Sequence, residues 1–221
     1  MAILAKCEHL VKTYRTAEDF RALDDVSVQI EQGEFVSIMG PSGCGKSTLL
    51  NILGLLDKPS QGEYFLNGRA VSGLSDAEIT KLRRNHIGFI FQSFNLMPKL
   101  SVVENIALPM RYTDIPRKDI LPKARELAER FGLGHKLDNT PLQLSGGQCQ
   151  RVACARSLAN SPSIILADEP TGNLDSKSSE DILNLLKELN AGGMTIVMVT
   201  HDPKIALGTQ RTIRIKDGKI E

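Results

Sequence analysis

Short apolar runs separated by polar turns dominate the first forty residues of the chain. This pattern predicts strands at residues 2–10, 26–30 and 34–39. The last of these is almost continuously apolar, which is typical of a strand buried on both faces of a parallel sheet. A glycine-rich turn follows. A helix over residues 46–56 is then predicted from the helical spacing of Leu49, Leu50, Leu53 and Leu56.

The middle of the chain, between Phe94 and Asn160, changes to a helical pattern. In its clearest helix, Asp119 is expected to be the cap and Gly132 the stop, with Pro122 in the first turn, where a missing N–H costs little. The apolar face of this helix is predicted to hold Ile120, Ala124, Leu127, Ala128 and Phe131. We expect this stretch to be a helical lobe inserted into another domain.

Strand patterns return at residues 163–167 and 195–200. The helix predicted between them ends at Gly192 and Gly193. Its apolar face is formed by Ile182, Leu183, Leu186 and Leu189. A right-handed crossover would put both strands in one parallel sheet, whose carboxyl ends form a crevice for a ligand. A last hairpin is predicted around Asp217 and Gly218.

Composition excludes several classes of protein. The 221 residues are 41% apolar and 24% charged, which is typical of a folded globular chain. The formal charge of +1 gives no reason to expect a nucleic-acid partner. We expect no signal peptide, because residues 1–12 lack a basic start and a long apolar stretch, and no membrane span, because no apolar run reaches spanning length. The four cysteines lack metal-ligand spacing, which favours a reducing cytosol.

The strongest motif runs from Gly40 to Ser47, with the sequence GPSGCGKS. It fits the phosphate-binding loop, in which glycines let backbone amides turn toward phosphate oxygens ahead of a helix N-terminus. Lys46 is expected to reach the β and γ phosphates, and Ser47 to bind magnesium. A chance glycine turn is the alternative. The predicted nucleotide-binding residues here are Gly40, Ser42, Gly43, Cys44, Gly45, Lys46, Ser47 and Thr48.

A second motif is the apolar strand at residues 164–167, which ends in two carboxylates, Asp168 and Glu169. Adjacent buried acids are costly unless cations or water accompany them. In a phosphoryl-transfer site, Asp168 can orient the magnesium shell and Glu169 can activate the attacking water. The alternative is an ordinary solvated loop.

The third motif opens a helix with Ser145, Gly146, Gly147 and Gln148, the signature segment. Its amides predict a second site for phosphate oxygens. Because one ATP does not need two such sites from a single chain, we expect a head-to-tail homodimer. In that dimer, each signature segment closes on the γ phosphate held by the other copy.

In this order, the phosphate loop, LSGGQ and ILADEP resemble the nucleotide-binding subunit of an ABC transporter. The resemblance covers essentially the whole chain and implies an α/β fold: a RecA-like P-loop NTPase core, an antiparallel β lobe and an inserted α-helical lobe. We therefore expect a single ABC ATPase domain over residues 1–221. Residues 1–92 and 161–221 would form the core and β lobe, and residues 93–160 the helical lobe.

The resemblance also implies roles that spacing leaves open. Gln92 corresponds to the glutamine that senses magnesium and the attacking water, and His201 to the histidine that contacts the γ phosphate. Tyr14 corresponds to the aromatic residue that stacks on adenine, and Asp175 to the loop that crosses the dimer interface. Without the resemblance, Gln92 is a polar residue after a strand, a lone histidine is more often structural, and Tyr14 resembles a core aromatic.

Residues 88–96, 103–109 and 171–175 resemble the lipoprotein-releasing, macrolide-efflux and cell-division (MacB/LolD/FtsE-like) branch of the family. Cys149 departs from that branch, which usually has glutamine there, and it is expected to place a thiol near the interface. The short C-terminus is a second departure.

The resemblance implies a function. Two copies would bind two ATP molecules with Mg²⁺, and closure and hydrolysis would drive a separate integral membrane permease from the cytoplasmic face of the inner membrane. The permease is expected to dock near residues 92–109. One alternative is a soluble ABC ATPase of DNA repair or translation, although such proteins carry long coiled coils or two cassettes. Another is a nucleotide-gated docking module that regulates a membrane or cell-wall partner without moving cargo.

Overall fold

The structure is a computed structural model that describes residues 2–15 and 19–221. The strands are β1 (Ile3–Tyr14), β2 (Phe20–Glu31), β3 (Phe35–Met39), β4 (Gln61–Leu66), β5 (Arg69–Ala70), β6 (Ile87–Phe91), β7 (Ile164–Asp168), β8 (Thr195–Val199), β9 (Arg211–Lys216) and β10 (Lys219–Ile220). The α-helices are α1 (Lys46–Leu53), α2 (Asp76–His86), α3 (Val102–Ala107), α4 (Arg117–Arg130), α5 (Gly146–Ser157), α6 (Ser176–Ala191) and α7 (Pro203–Ala206). Three short 3-10 helices lie at Leu108–Tyr112, Gly134–Lys136 and Pro141–Gln143.

The chain divides into two compact units. The first, the P-loop unit, contains residues 1–83 and 187–221, and the second, the signature unit, contains residues 84–186. The division falls inside α2 and α6. Within the described residues, no helix has the length and apolar character needed to cross a bilayer.

The P-loop unit contains two layers of strands. An antiparallel sheet has the order β2-β1-β4-β5. In the other layer, β3 pairs in parallel with β8 on one side and with β9 on the other, and β10 pairs antiparallel with β9. All five residues of β3 are buried, as the continuous apolar run predicted. Leu49, Leu50, Ile52 and Leu53 bury the inner face of α1.

The antiparallel hairpin is longer than the sequence pattern predicts. β2 begins at Phe20, and β1 continues to Tyr14. His9 and Asp25 have positive φ angles of 51° and 59°, and the β1–β2 register shifts between Cys7 and Leu10. Such bulges interrupt the period-two alternation on which strand prediction depends, so residues 20–25 and 11–14 were missed.

The signature unit combines one parallel strand pair with helices. β6 pairs with β7, from Ile87 opposite Ile164 to Phe91 opposite Asp168. Helix α5 packs against β6, and α3 packs against α4 and α5. A Cβ atom on Gly88 would lie 2.3 Å from the carbonyl oxygen of Ser157, so glycine permits this close approach of strand and helix.

Two helices begin or end at residues other than those predicted. Helix α1 stops at Leu53 with Gly54 as its C-cap, so the predicted extension to residue 56 is wrong. Leu55 has φ 57°, and this left-handed turn leaves Leu56 48% exposed rather than on the buried face. A left-handed residue cannot continue a right-handed helix.

Helix α4 begins earlier than predicted. Pro116 is its N-cap, so the assignment of the cap to Asp119 is wrong, and Asp119 lies in the first turn. Pro122 therefore falls in the second turn, inside the helix, where it removes the hydrogen bond to Lys118. The exposure of residues 121–123 lets water satisfy that carbonyl. The predicted stop at Gly132 is confirmed, with φ 71° just after the C-cap Phe131.

Candidate functional site

The loop that joins β3 to α1 depends on glycine at two close approaches. A Cβ atom on Gly40 would lie 2.0 Å from the carbonyl oxygen of Ile215. On Gly45, which has φ 105°, it would lie 2.3 Å from the carbonyl oxygen of Ala22. Any side chain at either position would push the loop away from these strands, so the backbone path is fixed by the absence of side chains.

Lys46 begins α1 and turns back over this loop. Its Nζ donates hydrogen bonds to the carbonyl oxygens of Gly40, at 2.8 Å, and Pro41, at 2.7 Å. An ammonium carries three N–H donors, so two fix its position at the loop and a third can bind an anion. Of the two residues after Lys46, Ser47 is exposed and Thr48 is half-buried. In the loop itself, Ser42 and Gly43 are exposed and Cys44 is buried.

Two further candidates lie in the P-loop unit. His201 is exposed and follows β8 by two residues. Because Val199 pairs with Ile38 in the parallel β3–β8 ladder, His201 and the loop after β3 leave the same edge of the sheet. Tyr14 is the last residue of β1, and its side chain is half-buried rather than fully in the core.

The two carboxylates and Gln92 are brought to one edge in the signature unit. Phe91 pairs with Asp168, so Gln92 and Glu169 each follow a paired strand end. Glu169 has φ 47°, a left-handed conformation that strains a residue with a side chain. Strained backbones of this kind are concentrated at functional sites, and the sequence pattern gave no signal of it.

Gln92 is held by a partner that sequence analysis missed. Its Nε2 donates to Oδ1 of Asn173 at 3.3 Å, and Nδ2 of Asn173 donates to the carbonyl oxygen of Gln92 at 3.1 Å. Gly172 makes room, because a Cβ atom there would lie 2.7 Å from Nε2 of Gln92. The sequence signal that could have indicated this contact is the pair Gly172-Asn173, which begins three residues after Glu169.

The loop after Gln92 is also anchored. Arg156 of α5 donates to the carbonyl oxygens of Phe94, at 2.8 Å, and Asn95, at 2.6 Å. Burial lowers the pKa of Arg156 from its usual value, but a guanidinium stays charged. Its cation satisfies two carbonyl groups of the loop whose residues have positive φ angles.

The signature segment forms the N-terminus of α5. Ser145 is the N-cap: its hydroxyl accepts from the Gln148 amide at 3.3 Å, and the Gln148 side chain accepts from the Ser145 amide at 3.0 Å. This reciprocal capping box leaves the amides of Gly146 and Gly147 as the donors available to an anion. Ser145 and Gly146 are exposed.

Cys149 lies beneath this segment. Its Sγ is 3.5 Å from the carbonyl oxygen of Pro141, and only 7% of the residue is exposed. Burial raises the pKa of this thiol. The side chain therefore points into the signature unit as a neutral group.

Asp175 caps the next helix. Its carboxylate accepts from the amide of Ser178 at 2.9 Å and from the hydroxyl of Ser178 at 2.6 Å. These hydrogen bonds hold the pKa of Asp175 below its usual value. The same serine lies against the signature segment, since a Cβ atom on Gly147 would be 2.8 Å from its Oγ. The starts of α5 and α6 are therefore packed together.

The candidates thus fall into two sets. The P-loop unit holds the loop at residues 40–48, Tyr14 and His201. The signature unit holds the signature segment, Gln92, Asp168, Glu169 and Asp175. Across the described ranges, no group of three or more His, Cys, Asp and Glu side chains forms a metal cage. Hydroxyl, amide and carboxylate oxygens suit Mg²⁺, which commonly binds through one or two protein groups together with phosphates.

Comparison with known proteins gives a consistent result. Residues 23–172 match the family model described as ABC transporter. The chain is 52% identical over 202 residues to the macrolide export ATP-binding/permease protein MacB of Hyphomonas neptunium, covering 91% of this chain and 31% of that protein. It is 51% identical to an ABC transporter ATP-binding protein, MJ0796, of Methanocaldococcus jannaschii, covering 99% of this chain and 95% of that protein.

Solved structures agree. The dimeric post-hydrolysis structure of the ATP-binding cassette MJ0796 bound to ADP and Pi matches with a TM-score of 0.90 and 48% identity, over 99% of this chain and 97% of that one. The structure of cbiO1 from Clostridium perfringens, part of the ABC transporter complex cbiONQ, matches with a TM-score of 0.88 and 31% identity, over 100% of this chain and 88% of that one. The predicted P-loop NTPase fold class is confirmed, and the chain belongs to the ABC transporter family as an ATP-binding cassette.

Proposed function

We propose that this chain binds and hydrolyses ATP as one half of a homodimer that energises a separate integral membrane permease of the export or lipoprotein-release type. The observation that carries the proposal is that one chain has two glycine-containing helix N-termini, at α1 and α5, and that a 48% identical structural relative is a dimer with ADP and Pi. Residues 93–160 would form the inserted helical lobe, and the remainder the core and β lobe.

The P-loop unit would hold the nucleotide. Backbone amides of Gly40 and residues 42–45 would surround the phosphates, and Lys46 would give its remaining N–H to a phosphate oxygen. Tyr14 stacks on the adenine. His201, at the edge from which the loop departs, contacts the γ phosphate.

Ser47, Asp168 and Gln92 would hold Mg²⁺ through hydroxyl, carboxylate and amide oxygens. When bound, the ion would neutralise charge on the β and γ phosphates. Asn173 accepts one hydrogen bond from the Gln92 side chain and donates another to the Gln92 backbone carbonyl, which orients the side-chain amide before any ligand arrives.

Glu169 would be the general base that accepts a proton from the attacking water. Its neighbour Gln92, across the β6–β7 pair, orients that water. The signature amides of the second copy, at Gly146 and Gly147, would stabilise charge on the transferred phosphoryl group, beside Ser145 and Gln148. Asp175 would lie at the dimer interface.

The test is Glu169→Gln, with Glu180→Gln on α6 as the matched control. The variant should keep ATP affinity, lose at least about a hundredfold in turnover and accumulate as an ATP-bound dimer in size-exclusion chromatography. The control should behave as the wild type. Wild-type turnover in Glu169→Gln would remove Glu169 from the mechanism.

The proposed site of action is the cytoplasmic face of the inner membrane, where the cassette would sit as a peripheral subunit. Similarity to a relative named as an ATP-binding/permease protein supports a membrane partner. Affinity purification of the tagged chain from detergent-solubilised membranes should recover an integral protein. Recovery of none, in the presence and absence of ATP, would contradict the transport role.

A further inference from the structure

The ring of Tyr14 is fixed from two sides within the P-loop unit. Its hydroxyl donates to Oδ2 of Asp57 at 2.9 Å. The Nζ of Lys12 lies 4.9 Å from the centroid of the ring, in a cation–π arrangement over one face. Because the cation occupies one face, a base that stacks on this ring must use the face opposite Lys12.

Lys12 and Asp57 also form an ion pair. Nζ of Lys12 donates to Oδ1 of Asp57 at 2.5 Å and to the carbonyl oxygen of Lys58 at 2.7 Å. The side chains are only 12% and 28% exposed. Charge-assisted bonds in partly buried positions are shorter and more rigid than exposed surface pairs.

The hydrogen bonds of Asp57 keep it charged. Burial would raise the pKa of this carboxyl, but bonds from the Lys12 and Tyr14 side chains and from the Lys58 amide hold the pKa below its usual value. Burial and the nearby Asp57 carboxylate raise the pKa of Tyr14, so its hydroxyl stays protonated and continues to donate. At neutral pH, Asp57 is therefore charged and Tyr14 is protonated, and this combination keeps the hydrogen bond between them.

The trio is connected to the phosphate-binding helix. The side chain of Thr48, in the first turn of α1, lies close enough to the Tyr14 hydroxyl to lower its pKa, against the larger effect of burial. Thr48 lies two residues after Lys46. The Tyr14 side chain therefore contacts both the loop at residues 57–58 and helix α1, which begins at the phosphate-binding loop.

We propose that Lys12 and Asp57 are positioning residues that hold the Tyr14 ring in the orientation in which it stacks on the adenine base. This inference rests on the proposed ATP function. A ring already fixed loses no rotamer freedom on binding, so more of the stacking energy appears as affinity. Neither residue belongs to a nucleotide-binding motif, which is why sequence patterns do not identify them.

The experiment measures Kd for Mg-ATP and for inorganic tripolyphosphate, which has no base. The variants are Tyr14→Phe, Asp57→Ala, the corresponding double variant, Asp57→Asn and Tyr14→Ala. Asp76→Asn, which alters an exposed ion pair with Lys58 on the same loop, is the matched control. Circular dichroism and thermal melts confirm folding.

Tyr14→Phe and Asp57→Ala should each weaken ATP binding about three- to tenfold, the scale of one side-chain hydrogen bond. The double variant should be no weaker than the worse single variant, since both remove the same bond. KM should rise by more than kcat falls, tripolyphosphate binding should be unchanged, and Asp57→Asn should recover part of the loss because its amide oxygen still accepts from Tyr14.

Three results would overturn the inference. If Tyr14→Ala weakens ATP binding but Tyr14→Phe and Asp57→Ala do not, the ring stacks without help and the ATP function stands. Equal weakening of ATP and tripolyphosphate would show that the trio acts through α1 instead of the base. A Tyr14→Ala variant with wild-type ATP affinity would remove the stacking role itself, and with it the inference, while the Glu169→Gln experiment still tests hydrolysis separately.

Discussion

In the proposed function, the N-termini of α1 and α5 both present backbone amides to an anion, but the structure stabilises them in different ways. At α1, glycines are required by backbone contacts with Ile215 and Ala22, and Lys46 supplies a full positive charge. At α5, a capping box of side chains shapes the turn, and its first four residues include no cation. We therefore expect the first to hold a phosphate by itself, and the second, which contributes only partial charges, to act on an anion that is already bound.

The largest effect is expected from a side chain forced into the α1 site. Gly45→Val adds atoms where a Cβ would already be 2.3 Å from a carbonyl oxygen, at φ 105°. Strain and overpacking together should cost about 3 kcal/mol of unfolding free energy, measured by urea denaturation. In Gly43→Ala, φ is 79° but the space is open, so the cost should be about 1 kcal/mol. Equal costs would show that the contact with Ala22 does not shape the loop.

At the α5 N-terminus, one substitution is instead expected to raise stability while it lowers activity. A Cβ atom on Gly146 would be 3.4 Å from its nearest neighbour, so Gly146→Asp fits sterically. A carboxylate in a first helical turn stabilises a helix by about 0.3–1 kcal/mol. The same charge repels phosphate, so ATPase activity should fall about a hundredfold.

Thermal melting and steady-state ATPase assays measure these two effects, with Gly146→Ala as the uncharged control. A destabilised Gly146→Asp protein would contradict the open, anion-facing geometry of the α5 N-terminus.

Alkaline pH tests a further difference, because α5 carries two buried thiols, Cys149 and Cys154, and α1 has none. Burial raises the pKa of Cys154 to about 12, from 9.0 for a free thiol. A raised folded-state pKa gives stability that is complete below pH 9 and is lost as the pH rises toward 12. Between pH 8 and 10, this linkage should remove about 1.4 kcal/mol of unfolding free energy.

Urea titrations at the two pH values provide the measurement. Cys154→Ala should show a shallower decline with pH, although Cys7, whose pKa is also raised to about 12, continues to contribute. Identical slopes for the wild type and Cys154→Ala would mean that this thiol is not protected from ionisation.

The smallest effect is expected at the α5 cap. Ser145→Ala removes the hydroxyl that accepts from the Gln148 amide, and the loss of an N-cap costs about 1 kcal/mol. Ser145→Asn keeps a capping oxygen and should lose little. Chemical denaturation of both variants tests whether the capping box, rather than the glycines, defines this turn.

The sequence predicted the elements whose signals are local. The continuous apolar run of β3, the glycine loop and the helix start at residues 145–148 are each encoded by a few consecutive residues. Prediction from the sequence failed where the local structure depends on contacts between residues that are far apart in the chain. The bulges at His9 and Asp25 depend on strand pairing.

The start of α4 was missed because Pro116 has no capping side chain to signal it. The candidate site shows the same division. Lys46 and Glu169 could be found from motifs, whereas the contact of Gln92 with Asn173 joins residues 81 positions apart. The left-handed backbone of Glu169 has no signature in composition or periodicity.

That backbone has a consequence for protein engineering. At φ 47°, glycine would relieve strain that glutamate must tolerate. A library screened only for heat resistance would therefore enrich glycine at position 169 and, given the proposed role of Glu169, yield robust but inactive proteins. Screens for improved variants of this chain need a turnover readout from the first round.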